Sequence, residues 1–375
     1  MAQNASNSTI ESEESEQMPV SLLSMPLIRA SYIVGKIVLP IILIFGTFGN
    51  VMIIVIMNRL RSTASSMSVY FTALAVSDLV FIYTVVMRNL LVINMFDYFT
   101  ISTAVCKIGQ FLLYVTGVTS AWILVTMTMQ RAVSVLWPHR VHVLCTRRKS
   151  MFTVIGIILF VACLHSHLLY GVDLVQSGNG TLTLCNPSTD EYKQFMNGAW
   201  SLVDLLIFSI LPFLFLAISN GLLVKKLAAS VREANLKLSA GQRGQAKRRE
   251  KKATSVTLTL VIVSITFIIL CLPFSLYVLL NDFVLEKIPD ENLFSRSIKQ
   301  FIYGMVNLLW YCNSAVNFYL YCLTGSKFRT ECLRVLTLGR FPRNKQGAVN
   351  DSRSTQFSGT ESTNDNNAFY ANHDL

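Results

Sequence analysis

Seven mostly apolar stretches of about 20 residues or more, near 32–57, 67–93, 103–136, 149–172, 197–229, 248–282 and 296–322, leave this chain few ways to fold. Inside a bilayer no water meets the backbone N–H and C=O groups, so each stretch must satisfy its own, as a helix does. Composition agrees. With 52% of residues hydrophobic and 14% charged, and a mean hydropathy of +0.49, the chain is too apolar for a soluble domain of 375 residues. The expected fold is an all-α membrane protein: a seven-transmembrane helix bundle plus a short amphipathic cytoplasmic helix.

An odd number of crossings puts the chain ends on opposite sides, and lysine and arginine decide which side is cytoplasmic. They gather in alternate loops: Arg59 and Arg61; Arg140, Arg147, Arg148 and Lys149; then Lys225, Lys226, Arg232 and the run from Lys247 to Lys252. The N-terminus is therefore expected outside. The net charge of +11 follows from this topology and does not imply a nucleic-acid partner. The run Lys247–Lys252 is simply the base of the sixth crossing, near anionic lipid. The acidic N-terminal run lacks a signal-peptide pattern, so the first crossing is expected to direct insertion. Asn4, Asn7 and Asn179 are glycosylation acceptors on segments expected outside, whereas Asn186 precedes Pro187 and does not qualify.

The organisation expected along the chain is a disordered extracellular segment 1–30, a membrane domain 31–324, an interfacial helix 325–337 and a disordered cytoplasmic tail 338–375. The tail carries serines and threonines open to kinases. Cys332, on the amphipathic stretch GSKFRTECLRVL, is a lipidation candidate or a plain thiol. Cys106 and Cys185 fall on the outer side, where an oxidising environment would let them pair.

Asp78 lies near the middle of the second stretch, VYFTALAVSDLVFIYTVVMRNLLVI. A lone acid at that depth costs several kcal/mol and is kept where it faces a polar interior, so it marks function by default. Asn50, Ser120, Asn313 and Asn317 lie at similar depth on other crossings and would join it through interhelical hydrogen bonds, either as structural glue or as a host for a small cation or water.

The ordered set of Gly49-Asn50, Leu74-Ala75-Val76-Ser77-Asp78, Cys106 with Cys185, Arg131, Pro212, Phe267, Pro273 and Asn317 to Tyr321 resembles the rhodopsin-like G-protein-coupled receptors over residues 32–336. MQRAVSVLWPHRVHVLCTRR and NSAVNFYLYCLTG look most like neuropeptide receptors of invertebrate type. The resemblance implies a plasma-membrane receptor, not an enzyme and without a cofactor, whose partners are an extracellular ligand, a heterotrimeric G protein, receptor kinases and arrestin, and membrane lipid. It also implies an allosteric sodium site at Asp78, Ser120, Asn313 and Asn317, with G-protein contact through Arg131 and an activation role for Tyr321. Several positions depart from the pattern. Gln130 replaces the acid before the arginine and Ala132 the tyrosine after it, and no tryptophan stands mid-way in the fourth crossing. Cys271 replaces the sixth-helix tryptophan, Phe318 the proline of the seventh-helix motif and Asn220 a tyrosine, and Ala253 stands where an acid sometimes holds the arginine. Arg131 thus lacks both customary restraints. The inactive state is expected to be weakly locked unless other contacts compensate, each missing charge-assisted bond being worth roughly 1–2 kcal/mol.

The third crossing contains no acid and Leu113 stands where amine receptors of this family carry aspartate, while Tyr311 stands where opsins carry their retinal lysine. An amine or retinal ligand is therefore not expected. Facing the outer cavity are Arg88, about 15 Å above Asp78 by helical rise, and Tyr114, Asp204, Tyr277, Asn281, Tyr303, Asn307 and Tyr311. Arg88 calls for an anion, either a ligand carboxylate or an internal acid such as Asp204. Outer acids including Asp173, Asp190, Glu191, Asp282 and Glu286 would gather cations. A short basic or amidated peptide suits both features. The alternatives are a lipid or small carboxylate held by Arg88 and, more remotely, an ion or proton carrier, which would need a ladder of ionisable groups below Asp78 that the sequence lacks. His165 and His167, two apart on a helix, would point about 200° apart and not share a metal.

Overall fold

The computed structural model describes residues 25–59, 66–177, 182–238, 245–283 and 293–337. Seven long helical runs form the body of the protein: Pro26–Arg59, Ser66–Ile93, Thr103–Leu136, Arg147–Leu164, Asp190 through Leu238, Gln245–Phe283 and Leu293–Thr324. Among the described residues, six helices are long and apolar enough to cross a membrane. The seventh has the length, but Arg296, Lys299, Gln300, Asn307, Asn313 and Asn317 dilute it. It packs along the first and sixth helices. A further helix, Ser326–Leu336, follows after Gly325, and within it Arg334 pairs with Glu331. A second compact unit begins at Thr330.

Short polar residues set several of the starts. The Ser102, Thr146 and Thr189 hydroxyls accept from the backbone N–H groups of Val105, Lys149 and Tyr192, taking up donors that the first helical turn leaves unpaired. The first helix begins on a proline, whose fixed φ suits the first turn and whose missing N–H is no loss there. It therefore starts at Pro26, inside the segment 1–30 that the sequence assigns to disorder. Residues 1–24 and 338–375, with Asn4 and Asn7, lie outside the described residues, as does Asn179.

Leu39, Ile42, Phe81, Ile82, Tyr311 and Ala315 form an apolar core shared by the first, second and seventh helices. The first and seventh helices approach closely because Gly49 has no side chain. A Cβ there would lie 2.9 Å from Phe318 Cβ, so the packing requires glycine. Three π turns, Ile82–Val86, Met196–Trp200 and Leu206–Ile210, interrupt the second and fifth helices. At the first of them the Tyr98 hydroxyl folds back and donates to the carbonyls of Tyr83 and Thr84 at 3.1 and 2.9 Å.

The fold is not wholly helical. Strands β1, Val172–Ser177, and β2, Leu182–Pro187, form an antiparallel hairpin with Leu174 opposite Cys185. Cys185 is bonded to Cys106 in the first turn of the third helix, tying the hairpin to the bundle across 79 positions of sequence. Asp173 fastens the same joint. It accepts from the Leu174 N–H at 2.8 Å and the Thr103 hydroxyl at 2.9 Å and faces Lys107 at 3.3 Å, and the backbone bond first, then the hydroxyl, holds its carboxyl below the usual range. The fourth helix ends at Leu164 rather than near 172, so His165 and His167 stand in a turn before the short helix Leu168–Gly171.

Because the bond closes a long loop, Cys106→Ser and Cys185→Ser should each lower thermal stability by about 2–4 kcal/mol. The double variant should lose no more than either single one. Additive losses in thermal unfolding of the purified protein would show that the cysteines act separately.

Candidate functional site

Asp78 is fully buried and held from two sides. The Ser120 hydroxyl of the third helix donates to Oδ1 at 3.0 Å, and the Asn317 amide of the seventh donates to Oδ2 at 2.9 Å. Asn50 joins the first helix to the same layer, its amide donating to Ser314 O at 2.8 Å and Gly46 O at 2.9 Å. Asn313 is buried one turn before Asn317, without a bond to the carboxylate. Asn50 Oδ1 and Thr119 Oγ1 are buried and unpaired. An orphan acceptor oxygen in the layer that holds a carboxylate suits a small cation or a water. Among the described residues no three His, Cys, Asp or Glu side chains cluster to hold a metal ion.

A cavity of about 510 Å³ opens among the second, third, fifth, sixth and seventh helices. Its size lies in the range of about 300–1,000 Å³ usual for small-ligand sites. Arg88, Tyr114, Asp204, Tyr303, Asn307 and Tyr311 all line it. Tyr277 and Asn281 do not; the Tyr277 hydroxyl donates to Lys299 O at 3.5 Å and its ring packs on Tyr303. The sequence reading missed Gln110, Asn197, Trp200, Phe274 and Trp310. Asn197 and Trp200 lie on a π turn, which rotates side chains out of helical register and leaves no periodic signal. Trp310 is flanked by Tyr311 and was legible as a neighbour of a residue already singled out.

Two acid–base pairs set the cavity's charge. Arg88 donates to both carboxylate oxygens of Asp97, Nε to Oδ1 at 3.0 Å and Nη2 to Oδ2 at 2.7 Å, and its guanidinium lies over the Phe99 ring at 4.1 Å. Its internal acid is therefore Asp97 and not Asp204. Asp97 Oδ1 also caps the turn Tyr98–Thr100 by accepting from the Phe99 N–H, which fixes the carboxylate that Arg88 grips. Asp204 instead faces His165 Nε2 at 3.4 Å, while His165 Nδ1 sits 2.9 Å from Val161 O. Unlike the buried imidazole, the Asp204 side chain remains 27% exposed. His167 turns to the Tyr192 hydroxyl at 2.7 Å, so the two histidines do point to different partners, though both rings touch Trp200.

At the far end of the third helix, Arg131 Nε is buried with no hydrogen-bond partner, and among the described residues Arg131 forms no ion pair. Gln130 turns away toward Ser150 at 3.4 Å. The Tyr321 hydroxyl is buried and unpaired while its ring packs edge-on against Phe71 at 4.8 Å. Cys332 is a buried free thiol.

A bundle of seven long helices, a hairpin stapled to the third of them, a ligand-sized cavity and a polar layer deep in the bundle are the marks of a multi-pass membrane protein. The profile of the 7 transmembrane receptor (rhodopsin family) matches residues 49–321, and the chain belongs to that family, a receptor family and not an enzyme family. The chain is similar to the FMRFamide receptor of Drosophila melanogaster, 25% identical over 86% of this chain and 57% of that receptor's length. It is similar to galanin receptor type 2 of Mus musculus, 25% identical over 82% of this chain and 78% of the relative. It is also similar to cysteinyl leukotriene receptor 2 of Homo sapiens, 26% identical over 71% and 68%.

Removing one partner of a half-buried, bidentate pair strands the other's charge. Asp97→Ala is therefore expected to lower thermal stability by about 1–3 kcal/mol. The double variant Arg88→Met with Asp97→Leu should recover most of the loss. An Asp97→Ala protein melting with the parent would show that the pair contributes little.

Proposed function

We propose that this protein is a plasma-membrane receptor, N-terminus outside, that binds a short peptide with a basic group and activates heterotrimeric G proteins. The charge state of the cavity supports this most directly. Arg88 already gives its Nε and Nη2 hydrogens to the two carboxylate oxygens of Asp97, so it offers little to a ligand acid. Asp204 is open to the cavity and set beside Tyr114, Trp200 and Asn197, a carboxylate among aromatic and amide groups, suited to a guanidinium or ammonium. The names of two relatives point the same way. FMRFamide spells an amidated peptide with one arginine, and galanin is a peptide. A lipid or small carboxylate is the second reading. It is favoured by Arg88 lining the cavity and by the similarity to cysteinyl leukotriene receptor 2, and it requires the ligand to displace Asp97.

A panel of amidated and basic peptides, FMRFamide and galanin among them, read through a promiscuous G protein in transfected cells, should contain an agonist. Asp204→Asn should reduce its potency by about tenfold or more, as loss of one charged hydrogen bond of about 1.5–3 kcal/mol implies, and Arg88→Gln should change it less. Unchanged potency in Asp204→Asn takes the acid out of the site. A carboxylate agonist that fails only with Arg88→Gln selects the second reading.

Deep in the bundle, Asp78 with Ser120, Asn317 and the orphan Asn50 oxygen forms the place for a sodium ion, with Asn313 on the adjoining turn; the ion would favour the inactive arrangement. Arg131, unpaired, would meet the G protein and Tyr321 would turn toward it, with receptor kinases and arrestin acting on the tail and Cys332 a lipidation candidate. Both ends can be read together. Ligand-free nucleotide exchange in transfected-cell membranes should exceed that of mock membranes and fall severalfold as sodium chloride replaces choline chloride. Asp78→Asn should remove the fall. Exchange equal to mock rejects the weak lock, and an unaltered sodium response in Asp78→Asn rejects the ion site.

A further inference from the structure

Trp310 stands on the seventh helix, lines the cavity and lies against the four other helices that form it. Its indole stacks on Phe274 of the sixth helix, with ring centroids 4.5 Å apart and planes 17° apart. It meets Phe81 of the second helix edge-on at 5.0 Å and Phe208 of the fifth at 5.6 Å. On the third helix Gly117 leaves it room, since a Cβ there would lie 3.4 Å from Trp310 Cζ2. Enclosed on these sides, the ring has little freedom to change rotamer without disturbing a neighbouring helix.

The same helix carries two bonds of the polar layer. Four residues beyond Trp310, the Ser314 carbonyl accepts from Asn50, and seven residues beyond it, Asn317 donates to Asp78. Seven residues make two helical turns, about 10 Å, so Trp310 and Asn317 project from one face. A displacement of the indole that its neighbours do not absorb must therefore turn or shift the seventh helix. That motion pulls on the Asn317 amide, whose bond to Asp78 tolerates little lengthening.

We infer that Trp310 is the positioning residue that couples occupation of the cavity to the polar layer around Asp78. A ligand group pressed against the indole from the cavity side acts on Asp78 through the seventh helix, and a change at Asp78 acts back on the indole. The inference deepens the receptor reading and takes its meaning as a signal from it. The coupling itself belongs to the protein alone, without ligand or G protein.

Fluorine NMR of the full-length protein, labelled with fluorotryptophan in lipid nanodiscs, reads this coupling directly. The chain has four tryptophans, Trp122, Trp137, Trp200 and Trp310, and the line lost in Trp310→Phe assigns the last. Asp78→Asn should shift or split the Trp310 line and leave that of Trp137 in place. Ser120→Ala, which removes one of the two bonds to Asp78 and keeps its charge, should move the same line if Asp78→Asn fails to fold. Leu309→Ala, a neighbour on the exposed side of the helix, should not. A Trp310 line unchanged in position and width in the folded polar-layer variant overturns the coupling. If the line moves while the peptide panel yields no agonist, the ligand class falls and the coupling stands. An agonist found with an immobile line removes the coupling alone.

Discussion

The buried carboxylate of Asp78 sets the terms for the helices around it. A charge or a hydrogen-bonding acid at that depth is tolerated only with partners close by, because the lipid supplies none. Ser120 and Asn317 supply them from the third and seventh helices, which fixes the rotation of both against the second. Asn50 then joins the first helix to the seventh through a backbone carbonyl. Four helices are thus registered by four side chains. The polar character of the seventh helix, which dilutes its apolar signal, follows partly from this task.

Around the cavity the same rule acts on Arg88 and Asp204, with different results. Arg88 is given an acid by a local device, a turn that caps itself with Asp97 and is anchored by Tyr98 to the carbonyls around a π turn. Its charge is spent within the protein. Asp204 has only an imidazole at long range, and that ring is engaged at its other nitrogen by the Val161 carbonyl. The cavity therefore presents one acid to a ligand and withholds one base. That asymmetry supports the proposed basic peptide over a carboxylate ligand more strongly than the presence of either residue does.

The helices were legible because lipid imposes a length and a polarity that sequence displays without ambiguity. The polar layer was legible in Asp78, Ser120, Asn50 and Asn317 because each is costly where it stands. Asn313, equally polar and equally deep, makes no bond to the carboxylate, since helical phase and depth alone do not say which amide reaches it. Asp97 escaped notice because it lies in a short connection, where pairing depends on the backbone path. The early end of the fourth helix escaped too: LHSHLLYG contains no proline and no internal glycine, and the break is stabilised by contacts of His165 and His167 made far along the chain. The hairpin was concealed in a loop whose second strand is tied by a disulfide to the third helix, a contact 79 positions away in sequence.

Substituted positions gain meaning when the space around them is considered. Cys271 is small and fully buried where the family resemblance leads one to expect an indole. An indole comes from the seventh helix instead, where Trp310 stacks on Phe274 just beyond Pro273. Moving the large ring from one helix to another preserves packing, which depends on volume, but changes which helix a bound ligand would push. On the proposed coupling the pushed helix is the seventh, whose Asn317 bonds Asp78. At the far end of the third helix, Gln130 turns to Ser150 and, among the described residues, Arg131 has no acid partner. On the proposed reading the balance between resting and active arrangements rests chiefly on the bonds around Asp78, and the seventh helix carries both a ring that lines the cavity and the amide that bonds Asp78.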